Sequence, residues 1–483
     1  MNQRFIRLVA VLLFMLVINS NGLQAQEKHT YFEPTDPLVK QRIEQWQDMK
    51  FGLLMHWGPY SQWGIVESWS ICAEDEDWCR RSNPNYDAYK REYEALGKTF
   101  NPVRFNPEKW ANAAAKAGMK YLVFTTKHHD GFCMFDTKLT DYKITSQWCP
   151  FNVNPRANVT KEIFNAFRDK GLWAGAYFSK PDWHCPDYWW PNFATPDRNV
   201  NYDIKTYPER WENYVKFTHG QIEELVRDYG PLNILWFDGG WVQKLTEEQV
   251  TKYKMEQLRP KQNFQSQDIR MDEIAAMARK HQPGIIVVDR AVEGPNQNYL
   301  TPENTVPDQY LGYPWESCII AGGGWSWVPN AKFMSGRKAI HTLADVVAKG
   351  GNLLLNIAPG PDGDWDPKAY ELLNEIGDWL SLNGAAIYDT RAQKPYKQGK
   401  CGYTKGKDGS VYAIYFAQDD ETSLPSRIML NEYFPKPNAL ITLMGSTVSL
   451  KYKVSGDGCV VDIPSSLRKP YCNYAWVLRI VEK

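Results

Sequence analysis

Between about residues 50 and 390, amphipathic helical segments alternate with short, continuously apolar segments. In one such unit, Asn106 precedes Pro107 at a predicted helix start, Gly118 ends the helix, and residues 121–125 form an apolar strand. The unit recurs, with further strands predicted at 172–177, 234–237, 285–288 and 353–357. Continuously apolar strands between helices indicate a parallel sheet that helices cover on both faces.

Polar residues at the strand ends decide between a doubly wound sheet and a closed barrel. Nearly every predicted strand ends on a potentially reactive side chain: His56, His128, His129, Tyr177, Asp238 and Arg290. Many strand ends converge on one face in a barrel. No G-x-G-x-x-G segment opens any of the helices, which disfavours a dinucleotide-binding sheet. The pattern therefore predicts a (β/α)8-type barrel over residues 26–390.

After about residue 391 the pattern changes to short segments of alternating polarity. The clearest are residues 411–416, 439–443 and 475–480, separated by Gly, Asp, Asn and Pro. Such spacing is typical of an antiparallel all-β fold. We expect a C-terminal β-sandwich domain over residues 391–483.

The first 25 residues have the pattern of a secretory signal peptide. Arg4 and Arg7 precede an apolar run over residues 8–18, and residues 23–25 offer a cleavage site. The run is shorter than the ~20 residues of a membrane-spanning helix. The sequence predicts export to the periplasm or the exterior, a mature chain that starts near Gln26, and no membrane span after cleavage.

Nine cysteines are scattered along the chain without a C-x-x-C pair. Cys72 with Cys79, and Cys459 with Cys472, are close enough in sequence to form disulfides in an oxidising compartment. Because the number is odd, at least one thiol should stay free.

Charge and composition narrow the class of ligand. The 56 Lys and Arg balance 56 Asp and Glu, so nucleic acid and anionic membranes are not expected partners. The chain has 20 Trp, 27 Tyr and 20 Phe, more than a core needs. Surplus aromatic side chains often line sites where flat apolar ligand faces stack.

Asp238 is the strongest candidate for chemistry. It ends an apolar strand within Leu235-Trp236-Phe237-Asp238-Gly239, where a carboxylate can be held rigidly and partly desolvated as a nucleophile. The alternative interpretation is a turn-forming Asp before glycine. If the chemistry is glycosyl transfer, a second carboxyl group must protonate the leaving oxygen. Glu303 is the favoured candidate, and Glu293 and Glu316 are its rivals.

Three imidazoles, those of His56, His128 and His129, lie at predicted strand ends. They could bind sugar hydroxyls or a metal ion. Adjacent residues of a strand point to opposite faces, which makes His128 and His129 a poor ligand pair. We therefore predict hydroxyl binding and no metal.

These residues occur in segments that resemble glycoside hydrolase family 29, the α-L-fucosidases. The resemblance covers Lys50 to Asp389, and its motifs occur in the family's order: residues 51–58 (FGLLMHWG), 125–132 (TTKHHDGF), 236–239 (WFDG), 288–290 (VDR), 301–303 (TPE) and 351–356 (GNLLLN). Each motif alone is weak evidence, but their ordered set is specific.

The resemblance implies a retaining exo-glycosidase that needs no cofactor, with a barrel and a C-terminal sandwich, acting on fucosylated glycans. By matching position, Asp238 would be the nucleophile and Glu303 the acid/base, with Glu316 as the main rival. The positions that match the family's sugar site are His56, His128, His129, Tyr177 and Arg290, and Trp327 matches an aromatic residue near the sugar's methyl group.

Two departures leave the sugar open. The family's Glu-Trp pair after the first strand is matched by Asp77-Trp78, with Glu67-Ser68-Trp69 as a competing match, and Ala291-Val292 replaces a common Trp-Gly. L-Galactose, which is L-fucose with an extra hydroxyl, is the alternative sugar, so that L-galactose-containing glycans are alternative substrates. A catalytically inactive sugar-binding protein and a metal-dependent hydrolase are the other hypotheses.

Overall fold

A computed structural model describes residues 30–72, 81–256, 263–468 and 474–482 of the chain. The predicted signal peptide (residues 1–25), Asp77, Trp78, Cys79 and Cys472 lie outside these residues.

The helices are α1 (Pro37–Met49), α2 (Tyr86–Glu94), α3 (Pro107–Lys116), α4 (Val159–Arg168), α5 (Pro208–Asp228), α6 (Glu247–Glu256), α7 (Met271–His281), α8 (Gly336–Ala348) and α9 (Pro367–Asn383). The strands of the first sheet are β1 (Phe51–Met55), β2 (Tyr121–Lys127), β3 (Trp173–Ser179), β4 (Ile234–Asp238), β5 (Ile286–Asp289), β6 (Glu316–Ile320) and β7 (Asn352–Asn356). Those that follow are β8 (Thr390–Gln398), β9 (Cys401–Gly406), β10 (Val411–Phe416), β11 (Arg427–Asn431), β12 (Leu440–Leu443), β13 (Tyr452–Ser455), β14 (Gly458–Asp462) and β15 (Ala475–Val481).

The α3–β2 unit shows how local sequence sets the fold. The side chain of Asn106 accepts a hydrogen bond of 3.0 Å from the backbone N–H of Lys109, which caps α3 at its predicted start. Gly118 turns the chain toward β2 with a φ of +88°, a conformation that favours glycine. Every residue of β2 is buried, as expected of a strand between two layers.

The first seven strands form one parallel sheet in the order β5-β4-β3-β2-β1-β7-β6. Neighbouring strands are in register so that their carboxyl ends lie at the same edge, with Ser179 of β3 opposite Asp238 of β4. With the helices outside and the sheet curled around an apolar interior, this is the predicted (β/α)8-type barrel.

An irregular segment occupies the eighth position of the barrel. Residues 296–304 lie between β5 and β6, where Asn298 donates its backbone N–H to Val287 O (3.0 Å) and Cys318 donates to Pro302 O (3.1 Å). The segment contacts β5 in antiparallel and β6 in parallel orientation. It therefore joins the two edges of the sheet, and it carries Glu303.

Aromatic and apolar side chains fill the amino-terminal end of the barrel. The indole of Trp46, on α1, stacks on the ring of Tyr299 with centroids 4.0 Å apart, and both rings are fully buried. Glu316 begins β6 at this end, and its carboxyl accepts a hydrogen bond of 2.6 Å from the Tyr121 phenol. This end is thus closed, and the open mouth lies at the strands' carboxyl ends.

The C-terminal strands form an antiparallel sandwich, as predicted. A five-stranded sheet (β12-β15-β10-β9-β8) faces a three-stranded sheet (β11-β14-β13). On β10, Ala413 and Tyr415 face the sandwich core, whereas Ile414 and Phe416 belong to the core shared with the barrel. The larger sheet is thus buried on both faces, since one face packs on α8, and Trp379 of α9 donates a hydrogen bond to Ala475 O of β15.

Among the residues that the structure describes, no helix is both long and apolar enough to cross a membrane. Nor does any disulfide join two of the described cysteines, and the predicted partners Cys79 and Cys472 lie outside that set.

Candidate active site

A cavity of about 470 Å³ opens at the carboxyl ends of the barrel strands. Most of the predicted strand-end residues line it, namely His56, His128, Tyr177, Asp238 and Arg290, and so does Glu303. His129 lies directly behind, with Nε2 3.8 Å from Oδ2 of Asp238. The structure therefore brings together residues that are up to 247 positions apart in sequence, from His56 to Glu303.

Both carboxylate oxygens of Asp238 are bound by donors. Oδ1 accepts from the backbone N–H of Gly239 (2.8 Å) and from Nη1 of Arg290 (3.0 Å), and Oδ2 accepts from the Tyr177 phenol (2.8 Å). Burial alone would raise the pKa of Asp238, but the charge of Arg290 and these hydrogen bonds hold it well below its usual range. Asp238 is therefore a rigid, ionised carboxylate at the base of the cavity.

Arg290 joins the two candidate catalytic carboxylates. Its Nη1 contacts Asp238, its Nη2 contacts Oε2 of Glu303, and its guanidinium lies over the ring of Trp236, 5.3 Å from the centroid. Glu303 also accepts a hydrogen bond of 3.1 Å on Oε1 from the indole of Trp325. One planar cation thus sets the spacing of the two carboxylates.

His56 and His128 form the wall next to Tyr177. The His56 Nδ1 lies 2.9 Å from Oδ1 of Asn356, and His128 Nδ1 contacts the hydroxyl of Ser68. The His128 ring stacks on Tyr177 at an interplanar angle of 9°. Burial lowers the pKa of His56 to about 4 and lowers that of His128 well below its usual value. Both rings are therefore neutral near pH 7, each with one nitrogen able to donate and one able to accept.

Indole rings enclose His129. Trp69, Trp183 and Trp241 lie with their centroids 5.1–5.3 Å from the imidazole. Burial lowers the pKa of His129 to about 4. The ring is thus neutral and turned toward Asp238 within an apolar surround.

Glu67 and Trp69 line the cavity. They belong to the segment that was the competing match for the family's Glu-Trp pair. The carboxylate of Glu67 is 1 % exposed and accepts a hydrogen bond of 2.8 Å from the backbone N–H of Ser326. Burial raises the pKa of Glu67 to about 8. Asp77 and Trp78 lie outside the described residues.

Trp325 and the predicted Trp327 lie differently relative to the cavity. Trp325 lines the cavity and lies 5.3 Å from the His56 ring, whereas Trp327 lies beside Gly64 and Gly360 and is not among the described lining residues. The indole of Trp325 also donates the hydrogen bond to Glu303 described above. Trp325 therefore lines the cavity, and the role of Trp327 near the sugar's methyl group stays a prediction.

The two rival glutamates lie elsewhere. Glu316 is buried at the amino-terminal end of the barrel, in register with Asn352 at the start of β7. Glu293 is exposed and accepts a hydrogen bond of 2.5 Å from the backbone N–H of Thr30. Neither carboxyl lines the cavity.

The described residues contain one group that could hold a metal ion: His128, His129 and Asp238, with ligand atoms within 4.8 Å of one another. A cation there would compete with the guanidinium of Arg290 for Asp238. The donor set therefore suits hydrogen bonding to a ligand better than metal coordination.

Sequence reasoning overlooked Asn356 and Ser68, which orient the two imidazoles. Asn356 ends β7 and obeys the strand-end rule that identified the other residues, so that rule could have found it. Ser68 begins a 3₁₀ helix of four residues, Ser68–Ile71, which is too short for a periodic signal that points to the site.

Comparisons with known proteins agree with this arrangement. The family model for alpha-L-fucosidase matches residues 17–385. An alpha-L-fucosidase of Branchiostoma floridae is 28% identical over 93% of this chain and 95% of its own, and the plasma alpha-L-fucosidase of Homo sapiens is 26% identical over 93% and 92%. The solved alpha-L-fucosidase isoenzyme 1 of Paenibacillus thiaminolyticus is 28% identical, covers 92% of this chain and 100% of its own, and superposes with a TM-score of 0.71. The chain therefore belongs to the α-L-fucosidase family of glycoside hydrolases.

Proposed function

We propose that the protein removes terminal α-L-fucosyl residues from glycans with retention of configuration, with Asp238 as nucleophile and Glu303 as acid/base. The observation that carries the proposal is the linkage of an ionised Asp238 and a more exposed Glu303 through one guanidinium, that of Arg290. Two carboxyl groups with different environments suit the two roles.

In the first step, the carboxylate of Asp238 attacks the anomeric carbon and forms a glycosyl ester. The bond to the leaving oxygen breaks at the same time, and Glu303 in its acid form gives that oxygen its proton. In the second step, Glu303 takes a proton from water, the water oxygen bonds to the anomeric carbon, and Asp238 leaves as a carboxylate. Two displacements restore the starting configuration.

Proton donation requires Glu303 to exchange partners. Its carboxylate contacts Arg290 in this structure, so it must turn from the guanidinium toward the glycosidic oxygen. The side chain is 41% exposed and stands on the irregular segment 296–304, which leaves it room to turn. Asp238, held by three donors, stays in place.

The spacing of the carboxylates supports retention. Retaining glycosidases place the two groups about 5 to 5.5 Å apart, and inverting ones about 6.5 to 9.5 Å apart to admit a water. Adjacent nitrogens of one guanidinium contact both groups here, with the Arg290 to Asp238 distance at 3.0 Å. That bridge favours the shorter spacing.

The walls of the cavity fit a single terminal sugar. His56, His128 and Tyr177 offer neutral donors and acceptors for hydroxyl groups, and Trp236 and Trp325 offer aromatic faces. The closed base of the barrel leaves the sugar one way out, through the mouth. This shape supports exo-action.

Hydrolysis of paired chromogenic α-L-fucoside and α-L-galactoside tests the sugar, and NMR of the first-formed anomer tests the stereochemistry. We expect faster turnover of the fucoside, an α-configured first product, and loss of turnover in Asp238→Ala. A faster galactoside would keep the mechanism but change the sugar. A β-configured first product would contradict the double displacement.

Two other hypotheses are separated by simple controls. A sugar-binding protein without activity would bind L-fucose but turn over neither substrate. A metal-dependent hydrolase would lose activity with EDTA and regain it with added metal. We expect full activity in EDTA, since Arg290 supplies the positive charge beside Asp238.

We also propose that the protein is exported, with cleavage of a leader over residues 1–25 and a mature chain that starts near Gln26. The support is the basic start and the apolar run of the sequence. Amino-terminal sequencing of the protein recovered from the periplasm or medium tests this. Recovery of the chain with Met1 in the cytoplasm would contradict it.

A further inference from the structure

Three neighbouring strands carry the groups that hold the nucleophile in place. On the side that faces the barrel interior, Tyr177 of β3 and Arg290, which directly follows β5, both donate hydrogen bonds to Asp238 of β4. The strand order β5-β4-β3 places Asp238 between these two donors. The geometry of the nucleophile therefore depends on how the ends of the three strands are aligned.

A buried ion pair joins the two strands on either side of β4. Nζ of Lys180, the residue after β3, lies 2.6 Å from Oδ1 of Asp289, the last residue of β5, and the two side chains are 0% and 5% exposed. Successive side chains of a strand point to opposite faces. Because Val288 packs in the barrel interior, Asp289 lies on the outer side of the sheet. The pair thus crosses behind the end of β4, opposite the face on which Asp238 meets its donors.

Lys180 also contacts the strand that it crosses. Its backbone N–H donates a hydrogen bond of 2.9 Å to the carbonyl oxygen of Asp238, and its own carbonyl accepts one from the phenol of Tyr214, a fully buried residue of α5. On the other side of β4, the backbone N–H of Arg290 donates a hydrogen bond of 3.2 Å to Phe237 O. Lys180 therefore links the backbone of the nucleophile to the residue that precedes Arg290.

The pair has no direct place in the reaction. Neither Lys180 nor Asp289 is among the described residues that line the cavity. Burial raises the pKa of Asp289, and the charge of Lys180 opposes that rise. The attraction within a buried ion pair often does no more than offset the cost of removing both charges from water. The positions that the pair fixes therefore explain it better than the stability that it adds.

We propose that the buried Lys180–Asp289 pair positions Arg290 on Asp238, and so sets the geometry of the nucleophile from behind the sheet. The inference rests on the proposed function, because it takes Asp238 as the group that attacks the anomeric carbon. Lys180 and Asp289 are positioning residues, and Arg290 is the residue through which they act.

The double variant Lys180→Met/Asp289→Asn removes both charges, keeps much of the shape of both side chains and leaves no unpaired charge buried. We expect it to fold and to lose about tenfold in kcat for an aryl α-L-fucoside, because Arg290 is then less firmly held against Asp238. Burial raises the pKa of Asp238 and the charge of Arg290 lowers it, so the acid limb of the kcat/KM profile should also move to higher pH. A loss of stability alone would leave the pH profile of the folded protein unchanged.

Lys349→Met/Asp345→Asn is the matched control. These residues form a Lys–Asp pair of 3.0 Å on and just after α8, and neither lines the cavity. The control should keep the wild-type kcat and pH profile. Lys180→Arg keeps the charge but changes the reach of the cation, so it should give a smaller change in the same direction, and it replaces the double variant if that protein does not fold.

Crystal structures of the wild type and the variant give a readout that does not depend on turnover. We expect the contact between Nη1 of Arg290 and Oδ1 of Asp238, 3.0 Å in the wild type, to lengthen or to be lost. An unchanged contact would overturn the inference, whichever sugar the enzyme accepts, and so would a wild-type kcat and pH profile in the folded variant. Turnover of the fucoside by the wild type, and its loss in Asp238→Ala, report the proposed function separately.

Discussion

The phenol of Tyr177 donates a hydrogen bond of 2.8 Å to Oδ2 of Asp238. The contact joins adjacent strands, β3 and β4, and Tyr177 is itself fully buried. With Oδ2 held by this hydrogen bond, the carboxylate of Asp238 lines the cavity, where it can attack an anomeric carbon. Tyr177 therefore orients the nucleophile and also stabilises its ionised form.

Replacement of Tyr177 by Phe should lower kcat for an aryl α-L-fucoside about ten- to hundredfold. A hydrogen bond to a charged group contributes about 1.5–3 kcal/mol, and the ring itself is retained. Because the bond lowers the pKa of Asp238, its loss should move the acid limb of the kcat/KM profile to higher pH. Steady-state kinetics between pH 3 and 9 measure both effects.

A shift of that limb to lower pH would mean that Tyr177 does not stabilise the carboxylate. Circular dichroism and thermal unfolding of Tyr177→Phe serve as the control for folding. Tyr86→Phe is a matched variant outside the cavity, where the phenol donates to Ile71 O, and should leave the pH profile unchanged.

Replacement of Glu303 by Ala should affect substrates in order of their leaving groups. Poor leaving groups need the proton that Glu303 supplies, so their kcat/KM should fall by a factor on the order of 10² to 10⁴, whereas activated aryl fucosides should lose far less in the first step. Azide should restore turnover of the activated substrates, because a small anion can replace water in the open space. NMR of the fucosyl azide should show the α configuration, as two displacements require.

Glu293→Ala is the comparison for this experiment, since that carboxyl is exposed and does not line the cavity. Full activity of Glu303→Ala on a natural disaccharide would contradict the acid/base assignment. Azide rescue with a β-configured product would point to Glu303 as the nucleophile instead.

Regular elements could be predicted because their signals are local. The α3–β2 unit was visible from an Asn-Pro start, a glycine end and an apolar run, and strand-end polarity then distinguished a barrel from a doubly wound sheet. The irregular segment 296–304 has no such period, since its backbone pairs with β5 on one side and β6 on the other only in the folded chain. Its place in the barrel therefore follows from tertiary contacts.

The residues of the candidate active site also differ in whether sequence could predict their place. Asp238 ends β4, Tyr177 lies near the carboxyl end of β3, and Arg290 directly follows β5, so topology brings them together. Trp325 and Glu67 come from loops, where neighbouring residues face different ways and sequence spacing does not fix which one lines the cavity. The motif match identified Trp327, and the indole that contacts Glu303 belongs to Trp325, two residues earlier.

The buried carboxyl group of Glu316, at the amino-terminal end of the barrel, should make the stability of the protein depend on pH. Burial raises its pKa to about 7, against 4.5 in a model peptide, and Tyr121 donates to it at 2.6 Å. The folded protein thus holds a proton that the unfolded chain releases between these values. The resulting stabilisation is fully present below about pH 4.5 and is lost as the pH rises through about 7.

Glu316→Gln should remove this pH dependence, because an amide keeps the shape of the neutral acid and does not titrate. Relative to Glu316→Gln, the wild type should lose up to about 3 kcal/mol of unfolding free energy between pH 4.5 and 8. Urea denaturation at several pH values measures the difference, with Glu293→Gln as the exposed control. Parallel curves for the wild type and Glu316→Gln would show that Glu316 is already ionised in the folded protein.

Substitutions of Trp379 test how much the contact between the sandwich and the barrel contributes to the unfolding free energy. This residue of α9 is 1 % exposed, and its indole donates a hydrogen bond of 2.9 Å to Ala475 O of β15. Trp379→Ala should lower the unfolding free energy by about 3–5 kcal/mol, from lost packing and an unpaired carbonyl, while Trp379→Phe should cost less because most of the ring remains.

Since Trp379 does not line the cavity, kcat of the folded fraction should not change. Phe434→Ala, at a side chain 53% exposed, should alter stability by no more than about 0.5 kcal/mol. A fall in kcat of Trp379→Ala without a fall in stability would mean that this contact acts on the site and not on the joint between barrel and sandwich.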